Sequence, residues 1–159
     1  MKKTIVIGLL GLALVTNRAA AQTAGEQAQI LRDFQRSVVD YSQHHGLQIP
    51  EAVTAAAPAA KLFTPPVAVV FRQLIARALA APDGVAIGGV GAGHHAVAGQ
   101  PVAAAELTDF PQKLSEILPS LPAPLEYRLI ERDLAIYDGE AHVIIAVLRD
   151  ALGTTTTKQ

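Results

Sequence analysis

The sequence contains no cysteine, no tryptophan and, apart from Met1, no methionine. Because no disulfide bridge can form, a buried apolar core has to hold the fold together. The absence of cysteine also excludes a thiol nucleophile and a lipid anchor attached to a cysteine. What remains is a chain of 159 residues, 50% of them hydrophobic, which is long enough for one domain with its own core.

The first 21 residues have the pattern of a signal peptide. Lys2 and Lys3 are followed by a short apolar run over 4–16, and small residues precede a cleavage position after Ala21. The apolar run is shorter than the ~20 residues that a membrane span needs. We therefore predict a periplasmic or secreted protein with no stable membrane span after cleavage. The alternative is an uncleaved N-terminal anchor.

The mature chain has few positive charges. Three of the 13 basic residues and none of the 14 acidic residues lie in the signal peptide, which leaves a formal net charge of −4. Non-specific binding to nucleic acid requires a basic face. We therefore predict no nucleic-acid partner.

The stretch from 63 to 84 has the clearest helical pattern. Thr64 stands at an N-cap position, the two prolines after it fit the first turn, and a Pro-Asp-Gly sequence ends the run. We predict a helix from about Pro65 to Ala81. Its apolar residues recur at helical spacing and form one face: Val67, Val70, Phe71, Leu74, Ile75, Ala78 and Leu79.

Two further helices are predicted. One runs from Glu26 to His45, and a shorter one lies near Pro111–Leu118 with Asp109 as its candidate cap. Residues 84–105 contain six glycines and favour a mobile connector, because glycine has high backbone entropy and no side chain to pack. Residues 154–159 are predicted to be a disordered tail.

The C-terminal part has three short strand-like runs, at 127–130, 134–137 and 142–148, which are separated by turn sequences. A helix over 140–152 is the competing interpretation, but three consecutive β-branched residues at 143–145 favour a strand. The predicted fold is α+β, with two to three helices packed on a small C-terminal three-stranded antiparallel meander. We expect a single domain over 22–153.

Two blocks of the sequence, from Leu62 to Gly84 and from Leu121 to Asp138, resemble an uncharacterised family of exported bacterial proteins. The C-terminal block is also similar to the meander of periplasmic nickel/cobalt-homeostasis (RcnB-like) proteins. In those proteins a Tyr-Arg-x-hydrophobic strand runs into an Asp-containing turn; here Glu131-Arg132-Asp133 stands where a Gly-Asn-Asp turn is typical. The resemblance implies a fold and a compartment, and it carries over no metal ligand and no activity.

Histidines are the candidate metal ligands: His44, His45, His94 and His95. Imidazole suits zinc, nickel and copper. Adjacent helical residues point about 100° apart, so His44 and His45 do not share an ion easily, whereas Asp40 and His44 are correctly spaced. The competing interpretation is that the first pair stabilises a helix C-terminus and the second pair decorates a loop.

Other constellations give weaker signals. The acid pairs Glu131/Asp133 and Asp138/Glu140 resemble the paired carboxylates of a hydrolase, but both fall in predicted turns, where acids are common. The glycines at 89–93 lack both the dinucleotide fingerprint and the Gly-Lys-Ser/Thr of a P-loop. A basic patch is the last candidate: Arg72, Arg77, Arg128 and Arg132.

No catalytic constellation stands out from this sequence, and no cofactor is predicted. The leading hypothesis is an exported, non-enzymatic accessory protein that binds an envelope protein or component. The alternatives are transition-metal binding through histidines and a small envelope hydrolase that uses the turn acids.

Overall fold

The computed structural model describes residues 24–45, 61–82, 87, 95–102, 107 and 110–153. The predicted signal peptide and the predicted tail lie outside these residues. The described part contains three helices, α1 (Ala24–His45), α2 (Pro65–Ala80) and α3 (Gln112–Ile117), and three strands, β1 (Leu125–Ile130), β2 (Asp133–Asp138) and β3 (Val143–Leu148). The predicted α+β class is confirmed.

The strands form one antiparallel sheet in the order β1-β2-β3. Two residues, Glu131 and Arg132, connect β1 to β2, and Glu131 adopts the positive φ of 57° that such a tight turn requires. The register between β2 and β3 shifts between Ile136 and Tyr137. The β-branched run at 143–145 is a strand, as predicted, and not a helix.

The helices cover one face of this sheet, which we call the first face and which carries Tyr127, Leu134 and Ile136. On α2, Phe71 and Ile75 are fully buried against it. The centroid of the Phe71 ring lies 4.8 Å from the ring centroid of Phe34 in α1 and 6.2 Å from that of Tyr127 in β1. The predicted apolar face of α2 is therefore the main cover of the first face.

The helix starts differ in detail from the sequence-based expectation. Thr64 occupies the N-cap position of α2, but its hydroxyl makes no capping bond. Its carbonyl accepts the first hydrogen bond of the helix, from the N–H of Ala68 at 2.8 Å. Pro111 stands at the N-cap of α3. Asp109, the expected cap, lies outside the described residues.

The opposite face of the sheet, the second face, carries Ala135, Tyr137 and Ile144. Residues 95–102 lie along it, although composition predicts a mobile connector for the whole of 84–105. Gly99 donates its N–H to Ile144 O at 2.7 Å, and Ile144 returns an N–H to Gln100 O at 3.1 Å. These bonds pair the segment with the edge of β3. We call residues 95–102 the edge segment.

None of the described helices combines the length and the apolar character that crossing a membrane would take.

Candidate ligand site on the second face

Asp133 is the buried charged residue of the sheet, with 1% of its surface exposed. Its Oδ2 accepts a bond from Arg149 Nη1 at 2.7 Å, and its Oδ1 accepts the backbone N–H of Asp150 at 2.9 Å. The sequence predicts an exposed turn acid at this position. The difference arises because Leu134 pairs with Leu148, which brings the residues just after β3 beside the start of β2.

His95 adds a third group to this carboxylate. Its Nδ1 lies 3.5 Å from Asp133 Oδ2, while 73% of the side chain is exposed. This is the distance of an ion-pair contact, and it is longer than a well-formed hydrogen bond.

A cavity of about 340 Å³ opens between the edge segment and the sheet. This volume lies within the range of small-molecule sites in proteins. Six of its described lining residues are apolar, and His95 and Gln100 supply polar groups: His95, Ala96, Gln100, Pro101, Val102, Leu107, Ile130 and Ile144. The walls come from the edge segment, from position 107 and from two strands, so no single stretch of sequence contains the site.

The far end of the edge segment is anchored by Tyr137. Its hydroxyl lies 2.8 Å from His142 Nδ1 and 3.2 Å from Val102 O. Both contacts are satisfied when His142 donates to the tyrosine oxygen and Tyr137 donates to the carbonyl. Burial raises the pKa of Tyr137. The phenol therefore keeps its proton, and the anchor persists at neutral pH.

The predicted metal ligands are not brought together in the described residues. His44 lies on α1, and its Nδ1 is 3.6 Å from Asp40 Oδ1, at the spacing that the sequence predicts. Burial, and after it the charge of Asp138, raises the pKa of Tyr41 on the same helix. His95 instead lies beside Asp133, at the start of β2.

The remaining metal candidates cannot be placed in the same way. His94 and the side chain of His45 lie outside what the structure describes. Among the described residues, no group of three or more histidine, aspartate or glutamate side chains is close enough to hold a metal ion.

The other candidate constellations are also dispersed. Asp138 Oδ1 accepts the backbone N–H groups of Glu140 and Ala141, which is a turn-forming role and not a catalytic one. Arg128 lies on the second face and pairs with Glu126, whereas Arg72 lies on α2, over the first face. Arg72 and Arg128 therefore lie over opposite faces of the sheet. The glycines at 89–93 lie outside the described residues.

The site contains residues that the sequence does not single out, namely Arg149, Gln100 and the apolar lining. One signal points to part of it. Asp133, Ala135 and Tyr137 alternate along β2 and therefore point to the same face of the sheet. Because β2 is covered on both faces, the side chain of Asp133 is buried there.

No family model matches this chain, and neither the curated proteins nor the solved structures include one that is significantly similar to it. The resemblances noted from the sequence therefore remain predictions.

Proposed function

We propose that this protein is an exported, non-enzymatic binding protein of the bacterial envelope and that its ligand occupies the cavity between the edge segment and the sheet. One observation carries the proposal, namely the cavity itself, with a largely apolar lining and a histidine that lies beside a buried carboxylate. Small-molecule sites typically combine an apolar wall with a few convergent polar groups.

The geometry gives less support to the hydrolase alternative. A hydrolase built from paired acids needs two carboxylates that face one pocket. Among the described residues that line the cavity there is no carboxylate; Asp133 lies beside His95, which does line it. Asp133 is also held by Arg149 and by a backbone N–H, so its carboxylate already has partners within the fold.

Binding in the cavity is tested by filling it. Ala96 is 2% exposed and lines the cavity, whereas its neighbour Val97 is 48% exposed. A panel of small amphipathic compounds is screened against the mature chain by thermal shift. We expect Ala96→Leu to abolish the shifts and Val97→Leu to preserve them. If Ala96→Leu fails to fold, as judged by circular dichroism, Val102→Phe takes its place.

Two results would contradict the proposal. One is a panel in which no compound stabilises the mature chain. The other is a set of hits that stabilise the Ala96→Leu and Val97→Leu proteins equally, because the ligand would then bind outside the cavity.

Export is tested separately, by expressing the full chain in a Gram-negative host and fractionating the cells. We expect the periplasmic fraction or the medium to contain a chain that begins at Gln22, as measured by intact mass. A full-length chain that stays with the membrane would indicate an uncleaved anchor. A full-length chain in the cytoplasm would contradict export.

Metal binding is the second candidate, and one observation favours it. A histidine that ligates a metal usually has a carboxylate, a carbonyl or water at its other ring nitrogen, and Asp133 Oδ2 lies 3.5 Å from His95 Nδ1. Titration of the mature chain with nickel, zinc and copper tests this candidate, with His95→Gln as the variant. Affinity weaker than ~100 μM for all three ions would end it.

A further inference from the structure

The cavity is continuous with a small apolar core on the second face. Ala96 and Ile144 line the cavity and are buried in this core together with Ala135 and Tyr137. Three more lining residues pack against the core but keep part of their surface exposed: Val102, Leu107 and Ile130. The cavity therefore lies where the described side chains fill the core of the second face incompletely.

We propose that the cavity binds a lipophilic molecule whose apolar body completes this core and has at most roughly 13 non-hydrogen atoms. This inference rests on the proposed ligand-binding function and names the size and the chemical class of the ligand. A medium-length alkyl chain or a pair of fused rings belongs to this class. Sugars, which carry polar groups along their whole length, do not.

The chemistry of the walls supports this class. Ala96, Val102, Leu107, Pro101, Ile130 and Ile144 offer no side-chain hydrogen-bond donor or acceptor. A sugar would bury hydroxyl groups against these walls without partners, which costs binding free energy. An apolar body instead removes from water the surface that the half-buried walls still expose, which is favourable.

The polar part of the lining lies where the cavity meets solvent. His95 and Gln100 both line the cavity and are both exposed. An imidazole and an amide can each form hydrogen bonds with a neutral polar group. A ligand with one polar end therefore places that end at the mouth and its apolar body against the sheet.

The volume sets the upper limit on size. The cavity has about 340 Å³. This is a little more than twice the ~150 Å³ of an apolar cavity that encloses one benzene molecule. Scaling the six carbon atoms of benzene by this ratio gives roughly 13 non-hydrogen atoms.

The test is a titration of the mature chain with butanol, hexanol, octanol and decanol, followed by the backbone amide signals of the edge segment in NMR spectra. We expect saturable shifts and an affinity that rises by up to about fourfold per methylene group, the value for complete burial. Sorbitol, which shares the carbon skeleton of hexanol, should not bind. Pyrenemethanol, which exceeds the size limit, should bind more weakly than decanol.

Two variants locate the binding. Ala96→Leu should abolish the shifts, because its larger side chain fills the cavity, and Val97→Leu should preserve them. Val97 is 48% exposed and does not line the cavity, so it is the matched control. If Ala96→Leu fails to fold, Val102→Phe takes its place.

The outcomes separate this inference from the function on which it rests. If sorbitol binds as tightly as hexanol and Ala96→Leu abolishes its binding, the cavity is a ligand site but the lipophilic class is wrong. An affinity that does not rise with chain length, or pyrenemethanol binding as tightly as decanol, would also contradict the inference. If the alcohols bind equally to the wild type and to Ala96→Leu, they bind elsewhere and the inference fails. If no alcohol binds, the inference fails, and the proposed function fails with it only when no compound of the thermal-shift panel binds either.

Discussion

Arg149 Nη1 lies 2.7 Å from Oδ2 of Asp133, and this contact joins the residue after β3 to the first residue of β2. The carboxylate is 1% exposed and the arginine side chain is 48% exposed. Removal of Arg149 leaves this buried carboxylate without its cation, so it should cost more stability than removal of one partner of a surface ion pair.

The first prediction compares Arg149→Met with Arg36→Met. Arg149→Met should lower the free energy of unfolding by about 2–3 kcal/mol. This is at or below the smallest costs typical of breaking a buried ion pair, because Arg149 is half exposed. Arg36 forms an exposed pair with Asp33 at 3.2 Å. Its substitution should cost less than about 1 kcal/mol. Urea unfolding followed by circular dichroism measures both, and equal costs would contradict the assigned role of Asp133.

The second prediction concerns the cover of the first face. Phe71 is fully buried and contacts the rings of Phe34, Phe63 and Tyr127. Phe71→Ala should cost about 3–5 kcal/mol, because it leaves a cavity among these rings. Val69 on the same helix is 44% exposed, and Val69→Ala should change stability by no more than about 0.5 kcal/mol. Chemical denaturation measures both variants, and a small effect at Phe71 would show that α2 does not cover the sheet.

The third prediction concerns the anchor of the edge segment. Tyr137→Phe removes the hydroxyl that contacts His142 and Val102, at a cost of about 1 kcal/mol. Amide hydrogen exchange should become faster at Gly99 and Val102, whose N–H groups bond to β3 and to His142.

Tyr127→Phe is the matched control for this experiment. It removes a hydroxyl that donates to Pro119 O at 2.9 Å on the first face. Exchange at Gly99 and Val102 should stay as in the wild type. If the two variants accelerate exchange at these amides equally, Tyr137 is not the specific anchor of the edge segment.

The fourth prediction concerns alkaline pH. Burial raises the pKa of all three tyrosines, Tyr41, Tyr127 and Tyr137, above the ordinary value of 10.0. In the unfolded chain these phenols lose their protons near pH 10, whereas in the folded chain they keep them. The stabilisation is therefore complete below about pH 10 and is lost as the pH rises further.

Absorbance of tyrosinate during a pH titration measures this effect. The folded protein should titrate above pH 10, and the urea-unfolded protein should titrate near it. Thermal stability should fall as the pH rises beyond 10. Tyrosines that titrate normally in the folded protein would contradict their burial.

The elements that sequence patterns predict well are those whose signal is local. Phe71 and Ile75 belong to one apolar stripe within α2, and the three strands are short apolar runs between turn residues, with a β-branched run in β3. Such periodicity indicates both the type of element and the face that it buries. The meander and its helical cover were therefore predictable.

The site was not predictable in the same way, because its contacts are non-local. Gly99 pairs with Ile144 through backbone groups, and glycine gives no side-chain signal for such a contact. Asp133 becomes buried only because the end of β3 returns to it. A composition argument therefore gives no sign that part of 84–105 pairs with β3, and it predicts an exposed acid where one is buried.

The central claim is that the cavity beneath the edge segment is a ligand site, and methyl NMR spectra of the mature chain with a set of diverse small fragments test it most directly. The account predicts that binding fragments shift, in a saturable way, the methyl signals of Ala96, Val102, Ile130 and Ile144. The account is contradicted if none of the fragments shifts these signals, or if saturable shifts occur only at another groove, such as the one formed by Val39 and Leu121.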